Sequence, residues 1–153
     1  MKRSRLKKGV GKPRSSRLAI IKQWVAVGYG KGGEGSRALE FKTDSLTPEE
    51  ASEVAKVVSS YNEYRGKAVA EAILKLRGKV SSVEFGREFS PVLYVHMPFW
   101  THQVAGSKEI SGRIFTESEN KANVDFVMSV LKKVKPDELD YDSSTNTIRA
   151  WWD

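Results

Sequence analysis

Apolar side chains alternate with polar ones along residues 92–102, the densest apolar and aromatic run of the chain. A period of two is typical of a β-strand, in which successive side chains point to opposite faces. The pattern therefore predicts a central strand with one face in the core. The core face would carry Leu93, Val95, Met97 and Phe99, and the second face would carry Val92, Tyr94, His96, Pro98, Trp100 and His102.

Other segments predict further strands. Residues 80–89 alternate in the same way and lead directly into the central strand. Three more short runs have strand composition and are bounded by turn residues. They are residues 109–116, 139–142 and 147–153, of which the last two predict a hairpin that buries at least one of Trp151 and Trp152.

Residues 18–29 are apolar on both faces when extended, and they also show apolar residues at helical spacing. We interpret them as a strand because β-branched and aromatic residues dominate and a glycine-rich loop follows. The strand would form a hairpin with residues 37–42. The loop, residues 28–35, has the glycine spacing of a dinucleotide-binding fingerprint, but no helix is predicted directly after it, so we interpret it as a hairpin loop.

Two threonines mark the starts of helices. Thr47 is followed at the third position by Glu50, and Thr116 by Glu119, which is the spacing of a capping box. Pro48 also suits a first helical position. Gly66 interrupts the first helical pattern. The apolar spacing predicts helical segments at 48–61, 67–77 and 117–134.

The elements follow the order ββ-α(α)-βββ-α-ββ. This order predicts an α+β fold with a mostly antiparallel sheet of about seven strands and two or three helices packed on one face. A length of 153 residues suits one domain of ordinary size. We assign residues 18–153 to that domain and residues 1–17 to a separate, disordered arm.

The net charge of +7 comes from the arm. Residues 1–17 hold eight basic side chains and no acidic one, which leaves 18 basic against 19 acidic residues in the rest of the chain. Such an asymmetry bears on binding partners rather than on fold. The eight predicted nucleic-acid-binding residues are Lys2, Arg3, Arg5, Lys7, Lys8, Lys12, Arg14 and Arg17.

The chain has no cysteine, which excludes disulfides, thiolate zinc sites and cysteine nucleophiles. This composition fits a reducing compartment, and we expect a cytoplasmic protein. No apolar stretch approaches the roughly 20 residues that a membrane-spanning helix needs, so we expect a soluble protein without a membrane partner. No motif calls for a cofactor, and none is predicted.

Glu84 and His96 are the candidates for catalysis. If residues 80–89 form a hairpin with the central strand in which the numbers of paired residues sum to 180, Glu84 lies opposite His96. The two could then act as an acid/base pair. A hydrogen-bonded histidine without catalytic duty is the favoured interpretation, and with it a protein that is not an enzyme. We predict no metal site, because His96 and His102 would stand about 20 Å apart along a strand.

Two functional hypotheses follow. The preferred one is a non-enzymatic binding protein whose basic arm contacts nucleic acid or another polyanion. The alternative is a protein–protein interaction module, such as an inhibitor, immunity or assembly protein, that uses an aromatic sheet face. The oligomeric state stays open. The interaction face would consist of Tyr94, His96, Trp100, His102 and Trp151.

Overall fold

The computed structural model describes residues 15–30, 40–98 and 115–153, which contain four helices and seven strands. The helices are α1 (Ser15–Gly28), α2 (Pro48–Ala55), α3 (Gly66–Leu74) and α4 (Glu117–Lys132). The strands are β1 (Glu40–Lys42), β2 (Ser60–Tyr61), β3 (Tyr64–Arg65), β4 (Ser82–Glu88), β5 (Ser90–His96), β6 (Glu138–Asp142) and β7 (Thr147–Trp151). Phe99 and residues 109–114 of a predicted strand lie outside these ranges.

Five strands form one antiparallel sheet in the order β1-β4-β5-β7-β6, and β2 pairs with β3 in a separate hairpin. The predicted α+β class with a mostly antiparallel sheet is confirmed. The seven described strands are divided into sheets of five and two. The central position of β5 agrees with the prediction from its alternation.

The core lies between one face of the five-stranded sheet and the helices. Leu93, Val95 and Met97 are buried there, as predicted. All four helices contribute buried side chains to the same apolar cluster. Trp152 is fully buried, and its Nε1 donates a hydrogen bond of 2.9 Å to the carbonyl of Val134. The prediction that the final hairpin buries an indole is therefore confirmed.

The prediction of a strand at residues 18–29 is wrong, because this segment forms α1. One side of the helix packs into the core through Val25, but the opposite side also carries large apolar residues, Ile20 and Trp24, that remain exposed. An apolar residue on each side hides the helical period, which depends on a contrast between faces. Gly30, with φ of +81°, follows the helix in the left-handed conformation that favours glycine.

The predicted helix at 48–61 is too long. It ends at Ala55, and the chain then forms the β2–β3 hairpin before α3 begins at Gly66. A Cβ atom at Gly66 would lie 2.1 Å from the Val58 carbonyl oxygen. The backbone packs so closely where α3 begins after the hairpin that only glycine fits at this position. Tyr61 belongs to β2 rather than to a helical stripe.

Both predicted capping boxes are present. The Thr47 and Thr116 side chains accept hydrogen bonds from the backbone N–H groups of Glu50 and Glu119, and each glutamate accepts one in return from the N–H of its threonine. These reciprocal bonds satisfy N–H groups that have no partner within the helix.

The predicted register of the β4–β5 hairpin is wrong by two residues. Paired residues sum to 178 rather than 180, so Glu84 lies opposite Tyr94, and Ser82 lies opposite His96. The reason is the length of the turn, since Phe89 alone connects the paired residues Glu88 and Ser90. A shift of two residues leaves every side chain on its predicted face.

Candidate interaction face

Alternate residues of the five-stranded sheet point away from the core and form a surface that we call the open face. Its members share the side of Tyr94 in the observed strand pairing. They are Glu40 and Lys42 from β1, Ser82, Glu84, Gly86 and Glu88 from β4, Ser90, Val92, Tyr94 and His96 from β5, Thr147, Arg149 and Trp151 from β7, and Glu138, Asp140 and Asp142 from β6.

His96 lies at the centre of one polar cluster on this face. Its Nδ1 atom is 3.0 Å from Thr147 Oγ1, and its Nε2 atom is 2.9 Å from Glu84 Oε2. Lys42 Nζ lies 3.2 Å from the same glutamate oxygen. The cluster therefore connects four neighbouring strands, β1, β4, β5 and β7. Although Glu84 and His96 are not directly opposite each other, they are diagonal neighbours on adjacent strands, and their side chains are close enough to form a hydrogen bond.

Both ring nitrogens of His96 have hydrogen-bond partners within the sheet. The Thr147 hydroxyl donates to the carbonyl of Thr145 at 3.1 Å. The Thr147 oxygen can therefore accept a hydrogen bond from Nδ1–H, and the Glu84 carboxylate can accept one from Nε2–H, according to the tautomer of the ring. Burial acts to raise the pKa of Glu84, but hydrogen bonds from His96 and Lys42 outweigh it and hold this pKa below its ordinary value.

Glu88 is the centre of a second cluster. Its carboxylate accepts hydrogen bonds from the Tyr94 hydroxyl and from Arg149, whose Nη2 is 2.7 Å from Oε2. Arg149 Nη1 also reaches Glu138 at 2.6 Å. The indole Nε1 of Trp151 donates to the backbone carbonyl of Glu88 at 2.9 Å. Both aromatic side chains of this face are thus held in place by Glu88.

The ionisation of the second cluster follows from these bonds. Burial acts to raise the pKa of Glu88, but the hydrogen bonds from Tyr94 and Arg149 bring it below its ordinary value. Burial and the bond to Glu88 together raise the pKa of Tyr94. Each ring also has a cation nearby, since Lys42 Nζ is 5.0 Å from the Tyr94 ring centre and the Arg149 guanidinium is 5.8 Å from that of Trp151.

The open face carries an excess of negative charge. It has two permanent cations, Lys42 and Arg149, against six carboxylates, which gives a net charge of −4 when His96 is neutral. Such a surface repels phosphate groups and attracts cationic ones. The six carboxylates belong to Glu40, Glu84, Glu88, Glu138, Asp140 and Asp142.

The structure brings together three of the predicted interaction residues, Tyr94, His96 and Trp151, whereas Trp100 and His102 lie outside the described residues. Among the predicted nucleic-acid-binding residues, Arg17 lies in α1, where Nη2 donates to the Ser45 carbonyl at 3.3 Å and Nη1 is 3.5 Å from Glu50. The other seven, Lys2, Arg3, Arg5, Lys7, Lys8, Lys12 and Arg14, lie outside the described residues.

Sequence reasoning missed Lys42, Glu88, Glu138 and Thr147 as members of this surface. Alternation within each segment gave the side on which every residue points. The clusters, however, depend on β7 lying next to β5, and no local pattern indicates that pairing. One signal could have found them. Within each predicted strand the charged residues occupy every second position, and they therefore point to the same face.

Acid/base chemistry at Glu84 and His96 stays a prediction. Both ring nitrogens already have protein partners, and the one hydroxyl beside the ring, that of buried Thr147, is directed at a backbone carbonyl. Within residues 15–30, 40–98 and 115–153, histidine and carboxylate side chains nowhere gather in a group of three that could hold a metal ion.

No protein-family model, curated protein or solved structure matches this chain. None of the helices in the described part of the chain has the length and apolar character needed to cross a bilayer. Functional assignment therefore depends on the chemistry of the open face and on the charge distribution along the chain.

Proposed function

We propose that this protein is a non-enzymatic binding protein that uses its open face to bind another protein. The observation that supports the proposal is the fixed orientation of Tyr94 and Trp151, both hydrogen-bonded to Glu88. Aromatic side chains that are already oriented lose little conformational entropy on binding. They are also the residue types most often found at the energetic centres of protein interfaces.

The charge of the open face indicates the kind of partner. A net charge of −4 favours a partner surface that carries lysine or arginine side chains, because complementary potentials speed encounter and select against wrong partners. The same charge disfavours nucleic acid on this face. Nucleic-acid binding, where it occurs, would then depend on residues outside the sheet.

Charge reversal at the edges of the open face tests this proposal. Glu40→Lys with Asp140→Lys changes two exposed side chains for which the structure describes no ion pair. A matched control is Glu63→Lys with Glu71→Lys, which makes the same charge change at exposed positions in the β2–β3 turn and in α3, outside the five-stranded sheet. Partners captured by the wild type should be lost by the first variant and retained by the control. Equal capture by both variants would contradict the proposal.

We also propose a second function, in which residues 1–17 bind nucleic acid or another polyanion. It is supported by the eight basic side chains of this segment and its lack of any acid. Lysine and arginine neutralise phosphates and release counterions, so affinity should fall steeply as salt rises. The two functions are compatible, because they use different parts of the chain.

Arg17 is kept in the test of the second function, since its contacts with Ser45 and Glu50 belong to the fold. The other seven basic residues are changed to glutamine in the full chain, and binding to labelled single-stranded and duplex nucleic acid is measured at several salt concentrations. Loss of binding in this variant supports the proposal. Equal binding by variant and wild type, or binding by neither near physiological salt, contradicts it.

A further inference from the structure

The open face gathers the acidic charge of residues 18–153. This part of the chain holds 18 basic and 19 acidic residues. Two of the basic residues and six of the acidic ones lie on the open face. The other 16 basic and 13 acidic residues have a net charge of +3, against −4 for the open face with His96 neutral. A cationic segment is therefore attracted to the open face and not to the rest of residues 18–153 as a whole.

Ion pairs within the open face do not cancel its charge. Its two cations, Lys42 and Arg149, pair with glutamates of β4 and β6. Three exposed carboxylates, those of Glu40, Asp140 and Asp142, have no cationic partner among the residues that the structure describes. They belong to β1 and β6, the two edge strands of the sheet. A cationic ligand that crosses the sheet would therefore meet uncompensated carboxylates at both edges.

The acidic residues of α2 lie close to the start of α1 and are already paired. Each of the three glutamates of α2 has at least one cationic partner. The ion pairs are Glu49 with Arg77, Glu50 with Arg17, and Glu53 with Lys22 and Lys56. The basic residues that precede α1 therefore gain less from α2 than from the carboxylates at the edges of the open face.

The start of α1 lies on the β1 side of the sheet. Arg17 donates a hydrogen bond of 3.3 Å to the carbonyl of Ser45, which follows the end of β1 by three residues. Five strands spaced about 4.8 Å apart make a face roughly 19 Å wide. The 14 residues that precede α1 can extend over about 46 Å. They are therefore long enough to pass the β1 edge and cross the whole open face.

The composition of residues 1–14 suits the open face. This segment holds seven basic side chains and no acidic one. Lysine and arginine also bind to the faces of aromatic rings, and Tyr94 and Trp151 are oriented on the open face by their bonds to Glu88. A segment tethered by a short linker has an effective concentration on the order of millimolar. Even a weak contact would therefore be populated.

We propose that residues 1–14 bind to the open face of the same chain and compete there with its protein partner. This proposal rests on the function proposed for the open face and adds a means of regulation to it. A polyanion that binds to the basic residues would release the open face. Polyanion binding and partner binding then both oppose the internal contact, so each should favour the other.

A nitroxide spin label near the N-terminus tests the contact in the full chain. Because the chain has no cysteine, Ser4→Cys gives a single labelling site. The label should broaden the NMR signals of Tyr94, Arg149 and Trp151 and leave those of α4, on the other side of the sheet, sharp. The broadening should not depend on protein concentration, as an intramolecular contact requires. It should weaken at about 1 M salt, where the Debye length falls to about 3 Å.

Two charge variants of the labelled chain distinguish the open face from charge in general. Glu40→Lys with Asp140→Lys should remove most of the broadening. Glu63→Lys with Glu71→Lys makes the same charge change outside the five-stranded sheet and should keep it. No broadening of open-face signals at low salt, equal broadening in both variants, or broadening that grows with protein concentration would overturn the proposal. Partner capture is measured separately, so failure of the internal contact is distinguishable from failure of the proposed partner binding.

A synthetic peptide of residues 1–14 gives an independent measurement. It is titrated into the full chain whose seven basic residues at positions 1–14 are changed to glutamine, which leaves the open face uncovered. The peptide should bind, and Glu40→Lys with Asp140→Lys in this chain should weaken binding at least about tenfold, because these changes bring the charge of the face from −4 to zero. Glu63→Lys with Glu71→Lys should have a much smaller effect. No binding at millimolar peptide, or equal weakening by both variants, would overturn the proposal.

Discussion

The two faces of the five-stranded sheet are built from the same strands and differ in how their side chains are stabilised. On the core face, Phe85, Leu93 and Ile148 are fully buried among apolar neighbours. On the open face, Glu84 and Glu88 form partly exposed ion pairs with Lys42 and Arg149. Burial contributes most of the stability of a domain, whereas exposed ion pairs contribute little. The open face can therefore serve binding while the core face maintains the fold.

The largest expected effect comes from truncating the core face. Phe85→Ala removes a fully buried ring that packs near Tyr29 and Tyr64, so the free energy of unfolding should fall by about 3–5 kcal/mol. Tyr94→Ala removes an aromatic ring from the open face and should cost less than about 1.5 kcal/mol. Urea denaturation followed by circular dichroism measures both. Similar losses at the two positions would contradict the distinction between the faces.

Arginines on the two faces allow a comparison with identical chemistry. Arg87→Met leaves the Gly28 carbonyl without its buried donor and removes one of the two donors to the Phe89 carbonyl, and we expect a loss of about 2–3 kcal/mol in the free energy of unfolding. Arg149→Met on the open face should cost less than about 1 kcal/mol, because water can replace the lost partner. Chemical denaturation of both variants checks this order, and a greater loss for Arg149→Met would reverse it.

The pairing of Glu88 with Arg149 has a smaller expected effect. Their side chains are 34% and 26% exposed and 2.7 Å apart at the closest atoms. A double-mutant cycle of Glu88→Gln and Arg149→Met should give a coupling energy of about 0.5–1 kcal/mol. The coupling should weaken in high salt, because screening acts on partly exposed charges. A coupling that is zero at low salt would show that this ion pair does not contribute to the stability of the fold.

The smallest effect is expected from acid titration of Glu84. Its folded-state pKa is lower than its ordinary value of 4.5, so its stabilising contribution is present above that pH and is lost as the pH falls through the lowered pKa. Glu84→Gln has no such carboxylate. The difference in the free energy of unfolding between wild type and variant should therefore shrink from neutral pH to about pH 3. A difference in the free energy of unfolding that does not change with pH would contradict a lowered pKa for Glu84.

The features that local sequence could predict are those that depend on neighbours in the chain. Thr47 and Thr116 act with residues three positions later, and both capping boxes are present. Alternation placed Leu93 in the core and Tyr94 on the other side. These predictions needed no knowledge of which elements pack together.

The features that sequence reasoning missed depend on distant residues or on surface chemistry. The strand prediction for residues 18–29 depended on their β-branched and aromatic composition. Ile20 and Trp24 of α1 are apolar yet exposed, which removes the contrast between faces that marks a helix in contact with solvent. The register of β4 and β5 depended on a one-residue turn at Phe89, whose residue type does not predict a positive φ. The Glu88 cluster requires β7 beside β5, a pairing of segments far apart in the sequence.

The β5–β7 pairing also bears on how the chain folds. The β4–β5 hairpin closes through one residue, and β6 and β7 are joined through four, so each hairpin can form from local contacts. Val95 and Ile148, which pair between the two hairpins, are 53 residues apart. Closing that separation costs entropy before the buried contacts form, so this step should limit the folding rate. If substitutions at Val95 or Ile148 slow folding rather than speed unfolding, the β5–β7 pairing is already formed in the transition state.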